Sequence, residues 1–228
     1  MEFDSFVLAA ATADLDDEPA ARPHADAVEL RMDLADDPLA ALDDYDGDLP
    51  VIATNRTSEE GGEADAAERE RLEVLETASA HETVGAVDVE LSSLRERAGA
   101  DLAATARDRD VRVVASVHDF EGTPPESRLV DLLATAADHG DVGKVAVTAT
   151  DRSDALTVLS ATHTATMRGA RVASMAMGKA GRHTRAVAPL YGSKIGYAPI
   201  DPAEATAPGQ YDLATLADLI DRLGGHPT

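Results

Sequence analysis

Along this chain, short runs in which every second residue is apolar alternate with longer segments in which apolar residues return every three or four positions. The short runs fall at residues 6–11, 27–34, 50–56, 86–91, 111–120, 143–149, 171–178 and 194–200, and their composition and period predict eight β-strands. Between most of them the longer period predicts helices, as at 63–82, 127–140 and 153–170, with a last helix over 211–224. Eight strands alternating with helices within 228 residues fit a (β/α)8 barrel, and they also fit a doubly wound open sheet.

Strand faces separate these two α/β architectures. An open parallel sheet is covered by helices on both sides, so its strands are apolar on both faces. Here Val28, Leu30 and Met32 alternate with Glu29, Arg31 and Asp33, and Val87, Val89 and Leu91 alternate with Asp88 and Glu90. Ser116 and His118 likewise fall on one face of their strand, and Lys144, Ala146 and Thr148 oppose Val145 and Val147. If the polar faces all point inward, a TIM barrel gathers carboxylates, arginine, histidine and lysine in one enclosed place. Each unpaired charge there costs several kcal/mol, and a core built only for stability would use valine and leucine. The expected architecture is therefore a single (β/α)8 barrel domain over residues 1–228 with its active site inside.

The net charge of −23 comes from 43 Asp and Glu against 20 Lys and Arg, spread over most of the chain. A nucleic-acid partner is not expected, because such a surface repels phosphates. Excess carboxylate with only three lysines points to a protein made for a salt-rich cytoplasm. The absence of cysteine removes disulfides and thiolate metal sites. Residues 1–10 lack a basic, apolar leader and no run is long enough to span a membrane, so a cytoplasmic protein is expected.

Lys144 lies among valines and alanines on an inward face. A lysine desolvated near other cations gives up its proton more readily, and the free amine attacks carbonyls. The structural alternative is an ion pair with Asp88 or Glu90. His118 ends an apolar strand at the end where barrel active sites lie, and imidazole suits proton transfer at neutral pH. The other histidines and the other two lysines fall in loops or on helices, where solvation is expected. No HExxH-like pairing suggests a metal, and "TNRTSEEGG" (54–62) lacks the glycine spacing of a phosphate loop.

Taken together, "VELRMDL", "RTSEEGG", "VDVEL", "ASVHDFEGTP", "GKVAV", "SMAMGKAGRHTR", "YGSKIGY" and "APGQ", in this order over nearly the whole chain, resemble the type I 3-dehydroquinate dehydratases. The resemblance implies a barrel, usually a homodimer, that dehydrates 3-dehydroquinate to 3-dehydroshikimate without metal or cofactor. It implies that Lys144 forms a Schiff base, that His118 is the general base and acid, and that Glu60 orients the histidine. It further implies substrate contacts from Glu29, Arg31, Arg56, Arg185, Met175, Met177 and Gln210. Thr206 stands where the family has a serine, keeping the hydroxyl and adding a methyl. Two other readings compete. A class I aldolase acting on a sugar or sugar phosphate also uses a barrel lysine and would want a phosphate site near "GKAGRHTR"; a non-catalytic barrel would be free to lose its polar interior.

Overall fold

The computed structural model describes residues 1–201, 203 and 209–224. All eight expected strands form: β1 (Val7–Thr12), β2 (Ala27–Arg31), β3 (Val51–Thr54), β4 (Val84–Glu90), β5 (Arg112–Asp119), β6 (Val142–Thr148), β7 (Val172–Met177) and β8 (Ile195–Pro199). Every ladder is parallel, in the order β7-β6-β5-β4-β3-β2-β1-β8. Between β8 and β7 the ring is joined by a single bridge, Val172 to Ser193, with Lys194 N–H donating to the Val172 carbonyl at 2.8 Å. The Ser193 hydroxyl accepts from the Ser174 N–H, so a side chain replaces a rung that backbone supplies elsewhere.

The polar and apolar parities resolve as a closed barrel demands. Val28, Leu30, Val87, Val89, Val113 and Ala115 face outward into the layer shared with the helices, and Val145 and Val147 do the same on the far side. Inside the barrel, Val7, Ala9, Ala27, Ile52, Ala86, Val114, Val142 and Ile195 fill the lower half. The charged residues of the same inward faces occupy the upper half, toward the strand C-termini.

Helices Glu126–His139 and Arg152–Met167 match the expected spans within three residues, and Leu213–Leu223 does so within two. The segment expected as helix from 63 to 82 is helical only over Glu68–Ala78. Residues 63–67 are held otherwise: Glu63 N–H donates to Asp33, and Ala64 bridges to Thr57. Asp151 closes the N-terminus of Arg152–Met167 with a reciprocal box involving Asp154, and Asp212 caps Leu213–Leu223 through the Thr215 N–H. On the last helix Leu213, Leu216 and Ile220 are buried, each contributing about 1.5–3 kcal/mol by leaving water. No helix among the described residues is long and apolar enough to cross a membrane.

Candidate active site

The sequence stretch around the lysine explains its placement. Gly143 and Lys144 share β6, but Gly143 faces outward, where an added Cβ would lie 2.5 Å from the Leu133 carbonyl and the Ala137 nitrogen of helix Glu126–His139. Only glycine lets that helix press onto the strand. The next residue then points inward, and Lys144 is buried at 4% exposure. Its Nζ lies 2.9 Å from Asp88 on β4 and 4.2 Å from the centroid of the Tyr197 ring on β8. The ion pair with Asp88 considered from the sequence does form, and the lysine also faces the cavity.

Two strands away the chain builds a support of paired charges. The Arg56 guanidinium contacts Asp88 at 2.6 Å, Glu90 at 2.8 Å and the Ser116 hydroxyl at 2.7 Å. Arg71, reaching in from helix Glu68–Ala78, lies 2.8 Å from the other Glu90 oxygen and donates to the Asn55 carbonyl at 2.8 Å. Burial alone would raise the Asp88 carboxyl, but Arg56 and Lys144 hold it well below the usual carboxylate range. Arg56 is pushed further above its already high value by Asp88 and Glu90, against the opposing effect of burial. Breaking one member of such a cluster costs about 3–5 kcal/mol because the remaining charge stays buried.

Glu60 reaches His118 through a tight turn. Residues Ser58–Glu60 form one 3-10 turn that Gly61 ends in the left-handed region at φ +81, a conformation that favours glycine. The turn aims Glu60 Oε2 at both the backbone N–H and the Nδ1 of His118, each at 2.9 Å. Burial raises Glu60 from 4.5 to about 7, with Arg56 opposing the rise. Burial first, and then Arg56 and Lys144, push His118 well below 6.5. His118 is thus neutral at neutral pH. With Nδ1–H donating to the Glu60 carboxylate, its lone pair sits on Nε2, the state a general base requires.

Opposite these groups, a helical turn, Thr184–Val187, follows β7 and is tied to it by the Ala176 N–H donating to the Thr184 hydroxyl. It sends Arg185 into the barrel wall at 4% exposure. One guanidinium nitrogen lies 3.7 Å from Met175 Sδ and 3.5 Å from the Tyr197 carbonyl; Nε and Nη2 have no hydrogen-bond partner among the described residues. Burial lowers Arg185 from 12.5 to about 10. No carboxylate among the described residues pairs with this cation.

The cavity these residues enclose has about 510 Å³ of free space, part of it open to solvent. Glu29, Arg31, Arg56, Glu60, His118, Lys144, Met175, Met177, Arg185 and Gln210 all line it, so ten of the eleven expected site residues converge. The eleventh, Thr206, lies outside the described residues. Arg31 is held by a two-pronged contact with Asp33, at 2.9 and 2.6 Å, and Glu29 accepts from the Thr54 hydroxyl at 2.9 Å. Tyr197, which the resemblance aligns with the family's aromatic, lines the cavity too, and Thr54, Gly61, Phe120 and Ala146 do so without having been singled out for a role. Ala146 was on the inward parity already described. No local signal marked Arg71, whose surroundings read as an amphipathic surface helix. Of the remaining histidines, His24, His163 and His183 are exposed as expected, while His81 and His139 are half-buried; His226 lies outside the described residues.

The basic stretch that suggested a phosphate site disperses its charges. Lys179 is exposed, Arg182 stacks on the Tyr211 ring at 3.8 Å, and only Arg185 enters the cavity. Nothing in the structure favours the aldolase reading.

Comparison with known proteins identifies the family. A model of the type I 3-dehydroquinase family matches residues 6–227. The chain is 58% identical to a 3-dehydroquinate dehydratase of Haloarcula marismortui over 226 residues, 98% of each chain. It is 56% identical to that of Halobacterium salinarum over 223 residues, 96% of this chain and 98% of that one. Both are halophilic archaea, in keeping with the acidic surface. The crystal structure of the Geobacillus kaustophilus 3-dehydroquinate dehydratase superposes with a TM-score of 0.87 at 26% identity, covering 99% of this chain and 93% of that one. Barrel, converging site residues and kinship lead to one conclusion: the chain belongs to the type I 3-dehydroquinase family.

Proposed function

We propose that the chain is a hydro-lyase converting 3-dehydroquinate to 3-dehydroshikimate through a Schiff base on Lys144. The observation that carries the reading is the buried Arg185 guanidinium, with N–H groups that have no partner among the described residues, set across one cavity from a lysine and a neutral histidine. A ring carboxylate satisfies the arginine by a bidentate contact and presents the rest of the ring to Lys144 and His118.

In this mechanism the free amine of Lys144 adds to the C3 ketone, and loss of water gives a positively charged iminium. That nitrogen is an electron sink, so the C2 proton becomes acidic. His118 Nε2 removes it, leaving an enamine. The enamine pushes out the C1 hydroxyl, which departs as water with the proton His118 returns. One histidine serves both transfers only if both groups leave from the same face, so the elimination is syn. Water then hydrolyses the iminium, releasing product and Lys144.

Glu60 fixes the imidazole tautomer, while Asp88 and Arg56 hold the lysine in place. Glu29 and Arg31 meet the ring hydroxyls, Met175 and Met177 pack on its face, and Gln210 with Thr206 closes above it without metal or cofactor.

The working unit is a homodimer in a salt-rich cytoplasm, with a small molecule rather than nucleic acid as its partner. Support for self-association comes from helix Arg152–Met167 and the neighbouring turn Ala188–Tyr191. Residues 155–167 carry no Asp, Glu, Lys or Arg, and Leu156, Met167, Leu190 and Tyr191 are exposed there. On a surface otherwise crowded with carboxylates, such a face allows a second copy to approach without charge repulsion.

The test is to incubate the protein with 3-dehydroquinate in high salt, reduce with borohydride, and map the adduct by peptide mass spectrometry. An adduct on Lys144 supports the reading. Turnover without a trappable adduct removes the covalent mechanism, and neither turnover nor adduct removes the function.

A further inference from the structure

Arg71 stands outside the cavity, yet its contacts lead into it. The charged residues beside it on helix Glu68–Ala78, namely Glu68, Arg69, Glu70 and Glu73, are exposed, whereas Arg71 is 3% exposed. Its Nη1 lies 2.8 Å from Glu90 Oε2 and donates to the Asn55 carbonyl at 2.8 Å, and Nη2 donates to the Ser93 hydroxyl at 3.1 Å. The Asn55 side chain returns a bond to the Arg71 carbonyl at 3.4 Å. Asn55 directly precedes Arg56, and the other Glu90 oxygen accepts from Arg56 and from the Thr57 N–H at 3.3 Å. Arg71 thus braces the strand end that carries Arg56 and the start of the turn that carries Glu60. Stability alone does not require an arginine here, because a buried ion pair is often no more stable than apolar residues of similar volume. Nor is it needed for balance while Lys144 is an ammonium, since Arg56 and Lys144 already match Asp88 and Glu90 in number.

We propose that Arg71 is a positioning residue for the covalent step: by facing Glu90 it keeps the series Arg71, Glu90, Arg56, Asp88 and Lys144 balanced and in place when the lysine is the neutral amine that attacks the ketone. The inference rests on the proposed function and adds a remote support to it. Charges alternate along the series through contacts of 2.6 to 2.9 Å. Lys144 itself is faced by Asp88 and the Tyr197 ring, with Arg56 and His118 beside them. With the amine neutral, Arg56 and Arg71 match Asp88 and Glu90. Without Arg71 the same state leaves two buried carboxylates to one arginine, and retention of the lysine proton is favoured instead. Glu60 responds in the same direction. Arg56, His118, Glu90 and Asp88 face it, and the two carboxylates raise it, Glu90 more strongly once Arg71 no longer offsets its charge. Both effects displace the acid limb of the rate profile to higher pH, although Arg71 touches no reacting atom.

The test compares Arg71→Met, Arg71→Lys and the double variant Arg71→Met with Glu90→Gln against the wild type in molar KCl. It reads kcat and KM across the pH range, the thermal midpoint, and the borohydride adduct. Arg71→Met is expected to lower kcat at neutral pH by about 10-fold with KM within about twofold, and to move the acid limb up by about one pH unit, so that activity returns in alkali. Arg71→Lys restores the charge without the fork and is expected to keep the wild-type limb. The double variant removes the cation together with the carboxylate it faces, leaving Arg56 and Asp88 balanced, and is expected to recover that limb as well. Should Arg71→Met fail to fold, Arg71→Gln, which keeps an N–H donor for the Asn55 carbonyl, carries the same expectation. Wild-type kcat and limb in the folded neutral variant would overturn the proposal. So would a loss equal at every pH, or one that Arg71→Lys fails to rescue, since either assigns Arg71 a structural role. Failure of the wild type itself to form an adduct would instead count against the Schiff-base reading, which keeps the two failures distinguishable.

Discussion

Replacing Glu60 by glutamine is expected to make the protein more stable and much less active, and both effects follow from one burial. Glu60 titrates at about 7 in the fold against 4.5 when unperturbed, because its carboxylate is desolvated beside His118. A carboxyl whose folded value is raised binds its proton between those two pH values while the unfolded chain has already lost it. Stability from this group therefore falls as pH rises from about 4.5 to about 7, and above 7 the full cost is present. The shift of about 2.5 units corresponds to at most about 3.5 kcal/mol at about 1.4 kcal/mol per unit. For a barrel of this size that is at most on the order of 7–14 °C in the thermal midpoint. Glutamine keeps a carbonyl oxygen for the His118 N–H groups but carries no charge to desolvate. The difference in midpoint between Glu60→Gln and wild type should be near zero at pH 4.5 and grow to its maximum by pH 8, measured by calorimetry in molar KCl. Without the carboxylate the tautomer of His118 is no longer fixed, and kcat should fall by about two to four orders of magnitude. Wild-type kcat/KM should drop about tenfold per pH unit below about 7, a limb that the variant lacks. A variant less stable than wild type at pH 8, or a midpoint difference that ignores pH, would refute the reasoning.

Lys144→Ala should give no borohydride-reducible adduct with 3-dehydroquinate, and an adduct mapped elsewhere on the chain would refute the assignment. Arg185→Lys keeps a cation but loses the planar fork, so KM should rise by about 10- to 100-fold with a smaller change in kcat, read from initial rates. With a net charge of −23, the thermal midpoint should climb as KCl goes from 0.1 M to above 1 M and the Debye length shrinks from about 10 to about 3 Å; a midpoint already maximal in dilute buffer would argue against adaptation to salt. The double variant Leu156→Glu and Met167→Glu should sediment as a monomer where the wild type sediments as a dimer, and an unchanged dimer would place the interface on another face.

Much of this molecule was legible because its strands obey a local rule. Alternation in β2, β4, β5 and β6 is a property of consecutive residues, so it placed Glu29, Asp88, His118 and Lys144 on the inner face before any tertiary contact was known. Motif order then pointed to Glu60 and Arg185, which lie in turns where alternation is silent. Tertiary structure decided how the charges are shared. Arg56, expected at the substrate, spends its guanidinium on Asp88, Glu90 and Ser116, a choice that depends on residues 32 to 60 positions away. Arg71 is polar on a helix and reads as solvated, yet it is buried under Glu90 because the turn before its helix folds back onto Asp33. The same contact shortens the helix expected from 63. Hydrogen-bond sums are likewise invisible in a sequence: that Arg185 and Tyr197 keep polar atoms without partners among the described residues, while Asp88 is bonded on both oxygens, emerges only when eight strands close and each side chain finds, or fails to find, a partner.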